Sequence, residues 1–302
     1  MPKKAILFTN LHKAGAGALA EIIRAKLGEW GIATTPFPFT DKAPAESSAL
    51  DFQSYHVAIS LGGDGTVLYA ARMVSPFGTP VFPIHMGTLG FIAAVQPGEW
   101  EPTFRQWLDG NSVLSRRLML HVSVERAGTI IARGTCLNDA VISTSGIAKV
   151  IRLHVETGTT DTSHSGNGVI RLGEYRSDGL IIATPTGSTA YSTAAGGPIL
   201  DPEMEALIVN PICPFSLSNR PLVVPAWETI MVTVDPKQRS NALLTLDGQI
   251  TEPLEQDDRI HVKQAPYQAT LIASDRSVFY RALRTKLSWA GAPHVEASCL
   301  KN

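Results

Sequence analysis

This chain of 302 residues has few cysteines, no long apolar run and almost no net charge. The three cysteines, Cys136, Cys213 and Cys299, lie far apart and show no C-x-x-C spacing, which predicts isolated thiols in a reducing compartment. No apolar run reaches the ~18 residues that a membrane span needs. The apolar part of the N-terminus is also too short for a signal peptide. We therefore expect a cytoplasmic protein without a membrane partner.

The charge balance argues against a nucleic-acid partner. The chain carries 26 basic and 27 acidic side chains, which gives a formal net charge of −1. A chain of this kind has no overall field that would attract nucleic acid, so we expect small-molecule substrates held by local groups. The eight histidines lack metal-ligand spacing, and no Ser or Cys stands in a nucleophile elbow.

Strand and helix signals alternate over residues 1–110, which we take as the first domain. This alternation implies βαβ units and a parallel sheet, so we expect a Rossmann-like α/β domain. The predicted strands are 4–10, 32–36, 56–61 and 79–85, and the predicted helices are 17–30 and 67–74.

The predicted secondary structure changes near residue 110. Residues 111–274 show short alternating strands separated by turn residues, with one helix at 189–195, which predicts an all-β layered domain. Residues 275–302 form a tail in which Phe279, Leu283 and Leu287 make one apolar stripe. We expect this stripe to belong to a helix that packs back on the first domain.

The turn Gly62-Gly63-Asp64-Gly65-Thr66 follows an apolar strand and leads into a helix. Glycines let the backbone approach a ligand closely, and N–H groups at a helix N-terminus suit phosphate. A carboxylate in such a turn repels phosphate unless it holds a metal or takes a proton. The turn therefore predicts phosphoryl transfer, with Asp64 lying bare between glycines as the candidate general base. The alternative is a tight turn closed by an Asx bond.

A second dense region extends from Ser177 to Pro198. It predicts a strand ending at Pro185, a turn rich in hydroxyl groups, and a helix capped by Ser188 or Thr189. Small hydroxylic side chains permit contact with sugar and phosphate oxygens, and Tyr191 offers a face on which a base can stack. The alternative is a small-residue helix that only packs.

Three shorter motifs are weaker when taken alone. Asn138 and Asp139 follow an apolar strand, and an amide beside a carboxylate suits ribose hydroxyls, although a turn explains the pair more simply. Asp247-Gly248-Gln249 first indicates a hairpin turn. The run from Gly15 to Ala20 matches G-x-G-x-x-A but begins well after the strand end, and no acidic residue follows the second strand, so we set it aside.

Together these stretches resemble one family, the NAD kinases that use ATP or polyphosphate. The most specific stretch runs from Asp178 to Ser192 and continues with Gly196-Gly197-Pro198-Ile199. Supporting matches lie at 87–91, 220–225 and 283–289, so the resemblance covers nearly the whole chain.

The resemblance implies phosphoryl transfer from ATP or polyphosphate to the 2′-hydroxyl of the adenosine ribose of NAD, which gives NADP. It also implies Mg²⁺ or another divalent cation, and a homodimer or homotetramer. Asp64 resembles the family's catalytic base, and Gly62, Gly63 and Gly65 flank it at the dinucleotide. The further positions that match dinucleotide contacts are Asn138, Asp139, Lys149, Arg176, Asp178, Thr189, Ala190, Tyr191, Ser192, Thr193, Ala194 and Gln249.

Three positions depart from the family pattern. Asp139 stands where Glu is usual, Ala194 where Ser is frequent, and Phe215 where His is common. These departures concern fine specificity, such as NAD against NADH. Two other functions stay open on the residues alone: a lipid or sugar kinase that shares the Gly-Gly-Asp-Gly turn, and a dinucleotide-sensing protein without catalysis.

Overall fold

The computed structural model describes residues 3–40, 50–87, 90–93, 95–144, 150–159, 168–216, 218–238 and 240–287. The helices are α1 (Ala16–Glu29), α2 (Asp64–Val74), α3 (Trp100–Leu108), α4 (Tyr191–Ala194) and α5 (Arg276–Lys286). In this part of the chain no helix is long and apolar enough to cross a membrane.

The strands fall into an N-terminal group and a longer C-terminal group. The first four are β1 (Lys4–Asn10), β2 (Ala33–Phe39), β3 (Val57–Gly62) and β4 (Val81–His85). The others are β5 (Leu114–Arg126), β6 (Thr129–Cys136), β7 (Asp139–Thr144), β8 (Ile151–Thr159), β9 (Gly168–Ser177), β10 (Gly179–Ala183), β11 (Ala206–Ile212), β12 (Leu222–Pro225), β13 (Thr229–Val234), β14 (Ala242–Leu246), β15 (Ile250–Leu254) and β16 (Arg259–Ile272).

The larger sheet has the order β2-β1-β3-β4-β16-β13-β8-β9, with β5 and β6 attached through β16. Strands β1 to β4 pair in parallel, which confirms the expected α/β architecture. Every residue of β3 and β4 is buried, as expected for a parallel sheet covered on both faces. This burial fixes the strand ends that carry the glycine-rich turn.

The second sheet has the order β12-β11-β10-β7-β14-β15 and is antiparallel. Its apolar face packs on the larger sheet in one core that includes Ile142 and Ile182 from the small sheet and Leu120 and Ile230 from the large one. The β-rich layered architecture is therefore confirmed. Because β16 pairs with both β4 and β13, one continuous sheet links the N-terminal and C-terminal strands.

Two local features differ from the sequence prediction. The single helix at 189–195 is a 3-10 turn over Thr186–Thr189 followed by the one-turn α4, and neither has a side-chain cap. Ser and Thr favour such irregular structure because their hydroxyls bond to nearby backbone. Asn138 and Asp139 follow β6, as expected, and Asp139 begins β7. Helix α3 was not predicted from the sequence. Its Pro102 does not break it, because this residue lies in the first turn, where proline is tolerated.

The C-terminal helix α5 docks where the two parts of the chain meet. Its N-cap Asp275 accepts a hydrogen bond from the Val278 N–H at 3.1 Å. The Phe279 ring lies 6.4 Å from that of Phe91, which confirms packing against the first domain. Arg276 also pairs with Asp201 at 2.6 Å, so α5 contacts the β-rich part as well. Residues 288 and 289 of the tail motif lie outside the described residues.

Candidate active site

The candidate site lies at the carboxyl edge of the parallel sheet, where β1, β3 and β4 end side by side. Gly62 of β3 is paired with His85 of β4, and the Met86 N–H donates to the Gly62 carbonyl at 2.7 Å. Ligands of open α/β sheets bind at this edge. The fold therefore places the glycine-rich turn where a substrate can reach it.

Helix α2 begins at Asp64, directly after β3, with Gly63 as its N-cap. A Cβ at Gly62 would overlap the side chain of Thr66, so this position requires glycine. A carboxylate in the first turn also interacts favourably with the positive end of the helix dipole. These local rules fix Asp64 at the mouth of the turn.

The Asp64 carboxylate is held by backbone N–H groups, so the expectation that it lies bare was wrong. Its Oδ2 accepts from the Phe91 N–H at 3.0 Å, and its Oδ1 accepts from Ala93 at 3.1 Å and Ile92 at 3.4 Å. A Cβ at Gly90 would overlap this carboxylate. Three donors orient the group, and the two oxygens together have about four lone-pair sites, so an acceptor position remains for a substrate hydroxyl.

A cleft of about 900 Å³ opens in front of Asp64, which is large enough for a nucleotide. The ends of β1 and β2, helix α2 and the β14–β15 hairpin form its walls. The residues that line it include Asn10, Lys13, Thr40, Gly63, Asp64, Gly65, Tyr69, Arg72, Gly248 and Gln249.

A second cleft of about 390 Å³ lies on the other side of the same hairpin. Gly248 lines both clefts, and its φ of 66° and that of Asp247, 51°, suit the central residues of a turn that the Gln249 N–H closes on the Leu246 carbonyl at 2.9 Å. The second cleft is lined by Asn138, Asp139, Val141, Ser143, Ala190, Tyr191, Thr245, Asp247 and Gly248. Residues predicted at distant points of the sequence are thus brought together.

A buried ion pair connects the two clefts. Arg72 of α2 lies 3.3 Å from the Oδ2 of Asp247, and both side chains are almost completely buried. Asp247 also accepts from the backbone N–H groups of Leu137 and Asn138, at 3.0 and 2.7 Å. Burial raises the pKa of Asp247, while these donors and Arg72 oppose the rise.

Comparison with known proteins assigns the chain to a family. Residues 25–111 match the ATP-NAD kinase N-terminal domain, and residues 137–274 match the ATP-NAD kinase C-terminal domain. The NAD kinase of Treponema denticola is 41% identical over 290 residues, which is 96% of this chain and 98% of that protein. The chain belongs to the ATP-NAD kinase family. The NAD kinase of Geobacter sulfurreducens is 40% identical over 77% of this chain and 78% of its own.

Two solved structures share the fold. The yeast NADH kinase complexed with NADH has a TM-score of 0.81 at 22% identity, covering 97% of this chain and 90% of that chain. An NAD kinase from Archaeoglobus fulgidus in complex with ATP has a TM-score of 0.69 at 23% identity, covering 94% and 98%. The resemblance to NAD kinases is therefore confirmed, and a lipid kinase, a sugar kinase or a non-catalytic sensor is not favoured.

In this ATP-NAD kinase family member, burial makes the carboxyl of Asp139 a weaker acid than usual. The residue is 5% exposed, and burial together with the nearby charge of Asp247 raises its pKa from 3.8 to about 7. Its neighbour Asn138 carries a buried Oδ1 without a hydrogen-bond partner among the described residues. Both groups border the second cleft, where a ligand hydroxyl would satisfy them.

The hydroxyl-rich segment uses most of its side chains internally. Ser192 is fully buried, and its Oγ accepts from the Asn210 side chain at 3.2 Å. The hydroxyls of Thr189 and Thr193 donate to the backbone carbonyls of Thr186 and Ser188. Ala190 and Tyr191 line the cleft, and Ala194 is exposed at the end of α4. The hydroxyls of Thr189 and Thr193 can therefore still accept from a ligand but have no O–H left to donate.

Arg176 and Asp178 are not among the residues that line the two clefts. Arg176 belongs to β9, and Asp178 lies between β9 and β10, next to Gly179, which pairs with Ser143 of the second cleft. Arg176 is exposed, and its guanidinium lies 5.7 Å from the ring of Phe215. Lys149 lies outside the described residues.

The structure also gives a place in the site to residues for which the sequence analysis proposed no such role. Arg72 and Asp247 form the buried pair, Gly90 makes room for Asp64, and Gly248 separates the clefts. An arginine inside the apolar stretch 67–74 was the available signal for Arg72, because a buried charge requires a partner. Among the described residues, no group of three His, Cys, Asp or Glu side chains is placed to hold a metal ion.

Proposed function

We propose that this chain transfers the terminal phosphoryl group of ATP to the 2′-hydroxyl of the adenosine ribose of NAD, which gives NADP. One observation carries the proposal: Asp64 borders a nucleotide-sized cleft that is joined through Gly248 to a cleft containing Asn138, Asp139 and Tyr191. The family assignment supports the phosphorylation of NAD, and the two adjoining clefts give room for a donor and a dinucleotide.

In the proposed reaction Asp64 takes the proton of the ribose 2′-hydroxyl. The oxygen then forms a bond to the terminal phosphorus while the bond between that phosphorus and the bridging oxygen breaks, and ADP leaves. The N–H groups of Phe91, Ile92 and Ala93 fix the carboxylate during this transfer. Phosphoryl transfer depends chiefly on positioning and charge neutralisation, so this fixed geometry matters as much as basicity.

The dinucleotide is assigned to the second cleft and the hairpin beside it. The unpartnered Oδ1 of Asn138 and the carboxyl of Asp139 can accept from sugar hydroxyls. Tyr191 is 47% exposed and offers a face on which a base can stack. The side chain of Gln249 is already hydrogen-bonded to Gly65 and Arg72. We therefore assign Gln249 a role in shaping the cleft more than a direct contact with the dinucleotide.

A divalent cation fits the site only together with the donor. Mg²⁺ is commonly bound by one or two carboxylates and by substrate phosphates, and Asp64 is the carboxylate that borders the first cleft. When bound there, the cation would neutralise phosphate charge. Polyphosphate is the alternative donor.

Two further properties stay predictions. A homodimer or homotetramer would explain why Arg176 and Asp178 match dinucleotide positions yet line neither cleft, since they could serve a second copy. A cytoplasmic location is supported by the isolated cysteines, of which Cys136 is buried and free.

The test is to supply ATP and Mg²⁺ with NAD and to measure NADP. Asp64→Asn should lower turnover by about 10²–10⁴-fold, the usual share of general base catalysis, with NAD binding retained. Asp109→Asn, at the exposed end of α3, is the matched control and should leave turnover unchanged. Normal turnover by Asp64→Asn would contradict the role of this carboxylate. A parallel panel with NADH, a sugar, a lipid and polyphosphate defines the acceptor and the donor.

A further inference from the structure

Lys13 occupies the turn between β1 and α1, at the same sheet edge as Asp64. The turn is closed by backbone bonds from Lys13 to Asn10 at 3.1 Å and from Ala16 to Lys13 at 3.0 Å. Lys13 is exposed and lines the first cleft together with Asp64. Among the described residues no carboxylate pairs with it. A free ammonium group therefore faces the space in front of the candidate base.

Lys286 brings a second ammonium group to this edge from the opposite end of the chain. It is the last residue of α5, and its Nζ lies 5.0 Å from the centroid of the Phe91 ring. The backbone N–H of Phe91 donates to Asp64 at 3.0 Å. Lys286, too, has no carboxylate partner in the described part of the chain. The docking of α5 on Phe91 thus places this lysine near Asp64.

His85 is a buried group on which the charges of both lysines and of Asp64 act. It ends β4, is 6% exposed, and has a buried Nδ1 without a hydrogen-bond partner among the described residues. Burial lowers the pKa of His85, Lys286 and Lys13 lower it further, and the charge of Asp64 opposes them. All three charged groups are therefore close enough to act on the same imidazole.

The charges at this edge do not balance. Two lysines face one carboxylate, and the N-terminus of α2 adds a partial positive charge. The 11 residues of α2 make a helix long enough for that effect. Exposed lysines are often only solvated, but here Lys13 lines the cleft and Lys286, from the other end of the chain, lies on Phe91 beside Asp64, and neither is neutralised among the described residues. Such a site suits a ligand with several negative charges, since ammonium groups bind phosphate as point charges.

We propose that Lys13 and Lys286 form an anion subsite that holds the phosphate chain of the phosphoryl donor in front of Asp64. This inference rests on the proposed function and adds the residues that select a polyanionic donor. It also gives α5 a part in the site, because the helix places Lys286 on Phe91, whose N–H donates to Asp64.

The test separates donor binding from acceptor binding. Lys13→Gln and Lys286→Gln should each raise the KM for ATP by about 10-fold or more, because a charge-assisted bond to phosphate is lost, and the KM for NAD should change less than about 2-fold. Inorganic tripolyphosphate should compete with ATP in the wild type and about 10-fold more weakly in both variants. Lys263→Gln, an exposed lysine on β16, is the control and should leave both KM values unchanged.

Conservative variants distinguish the loss of a charge from a merely structural effect. Lys13→Arg and Lys286→Arg keep the charge, so they should retain the KM for ATP within about 3-fold. An unchanged KM for ATP in the Gln variants, or an equal rise in both KM values, would overturn the proposal. If the wild type forms no NADP, the proposed function fails, whereas direct binding of tripolyphosphate to the wild type and the Gln variants still decides whether the lysines hold phosphate.

Discussion

Arg72 and Gln249 are joined by a hydrogen bond of 2.7 Å that crosses from α2 to the β14–β15 hairpin. Gln249 in turn donates from Nε2 to the Gly65 carbonyl at 2.9 Å, next to the candidate base. The other terminal nitrogen of Arg72 contacts Asp247, which binds the backbone beside Asn138. One guanidinium thus connects the glycine-rich turn, the β14–β15 hairpin and the backbone of Asn138.

We expect Arg72→Met to destabilise the protein by about 3–5 kcal/mol, because the carboxylate of Asp247 would stay buried without its cationic partner. Urea unfolding of both proteins measures this difference. Arg72→Lys keeps the charge but lacks the planar fork that reaches Asp247 and Gln249 together, so its loss should be smaller. Gln249→Ala spares the ion pair and serves as the second control. A loss below about 1 kcal/mol for Arg72→Met would contradict the expectation.

The parallel part of the fold could be predicted because its signals are local. Strands β1 and β3 are continuous apolar runs, and the helices between the strands show the 3.6-residue period or follow a glycine-rich turn. Strand β11 was missed because it is buried on both faces and reads as an apolar run without alternation. The pairing of β16 with β4 was also beyond the sequence, since it joins residues that are 190 apart at Leu271 and Val81.

The candidate site was predictable where one short motif carries the chemistry. The turn around Asp64 and the residues Asn138, Asp139 and Tyr191 were found because glycines and polar groups interrupt apolar runs. The bonds from segment 91–93 to Asp64 were not found, because a backbone N–H leaves no signature in the residue type. The inward orientation of Ser192 was not predicted either, because it becomes evident only when Asn210 is seen beside it.

Gly90 should prove as sensitive as a residue that touches substrate. A Cβ there overlaps the Asp64 carboxylate, so Gly90→Ala must displace either the carboxylate or the backbone donors. Because a shift of about 1 Å in a catalytic group can cost ~10²-fold, we expect turnover to fall by about that factor. Steady-state NADP formation measures it.

Gly28→Ala is the matched control for this substitution. Gly28 lies in α1, and a Cβ added there meets no atom within 4 Å. This variant should keep full turnover and gain about 0.5–1 kcal/mol of stability, because alanine loses less backbone entropy in a helix. Equal activity of both variants would contradict the steric role of Gly90.

Asp139 links the stability of the protein to pH. In the folded protein burial, and then the charge of Asp247, raise its pKa to about 7, whereas the unfolded chain has the ordinary value. Between these two values the folded state retains a proton that the unfolded state has released. The contribution of Asp139 to stability is therefore complete below pH 4 and is lost as pH rises to about 7.

Asp139→Asn removes this titration, so the variant should gain stability relative to the wild type as pH rises. Between pH 5 and pH 8 the difference in the free energy of unfolding should shift by about 2–3 kcal/mol in favour of the variant, since each pKa unit is worth ~1.4 kcal/mol. Urea unfolding of both proteins at the two pH values checks this. A difference that stays constant across the range would mean that Asp139 is ionised throughout, and that its burial is compensated by contacts other than those seen around β7.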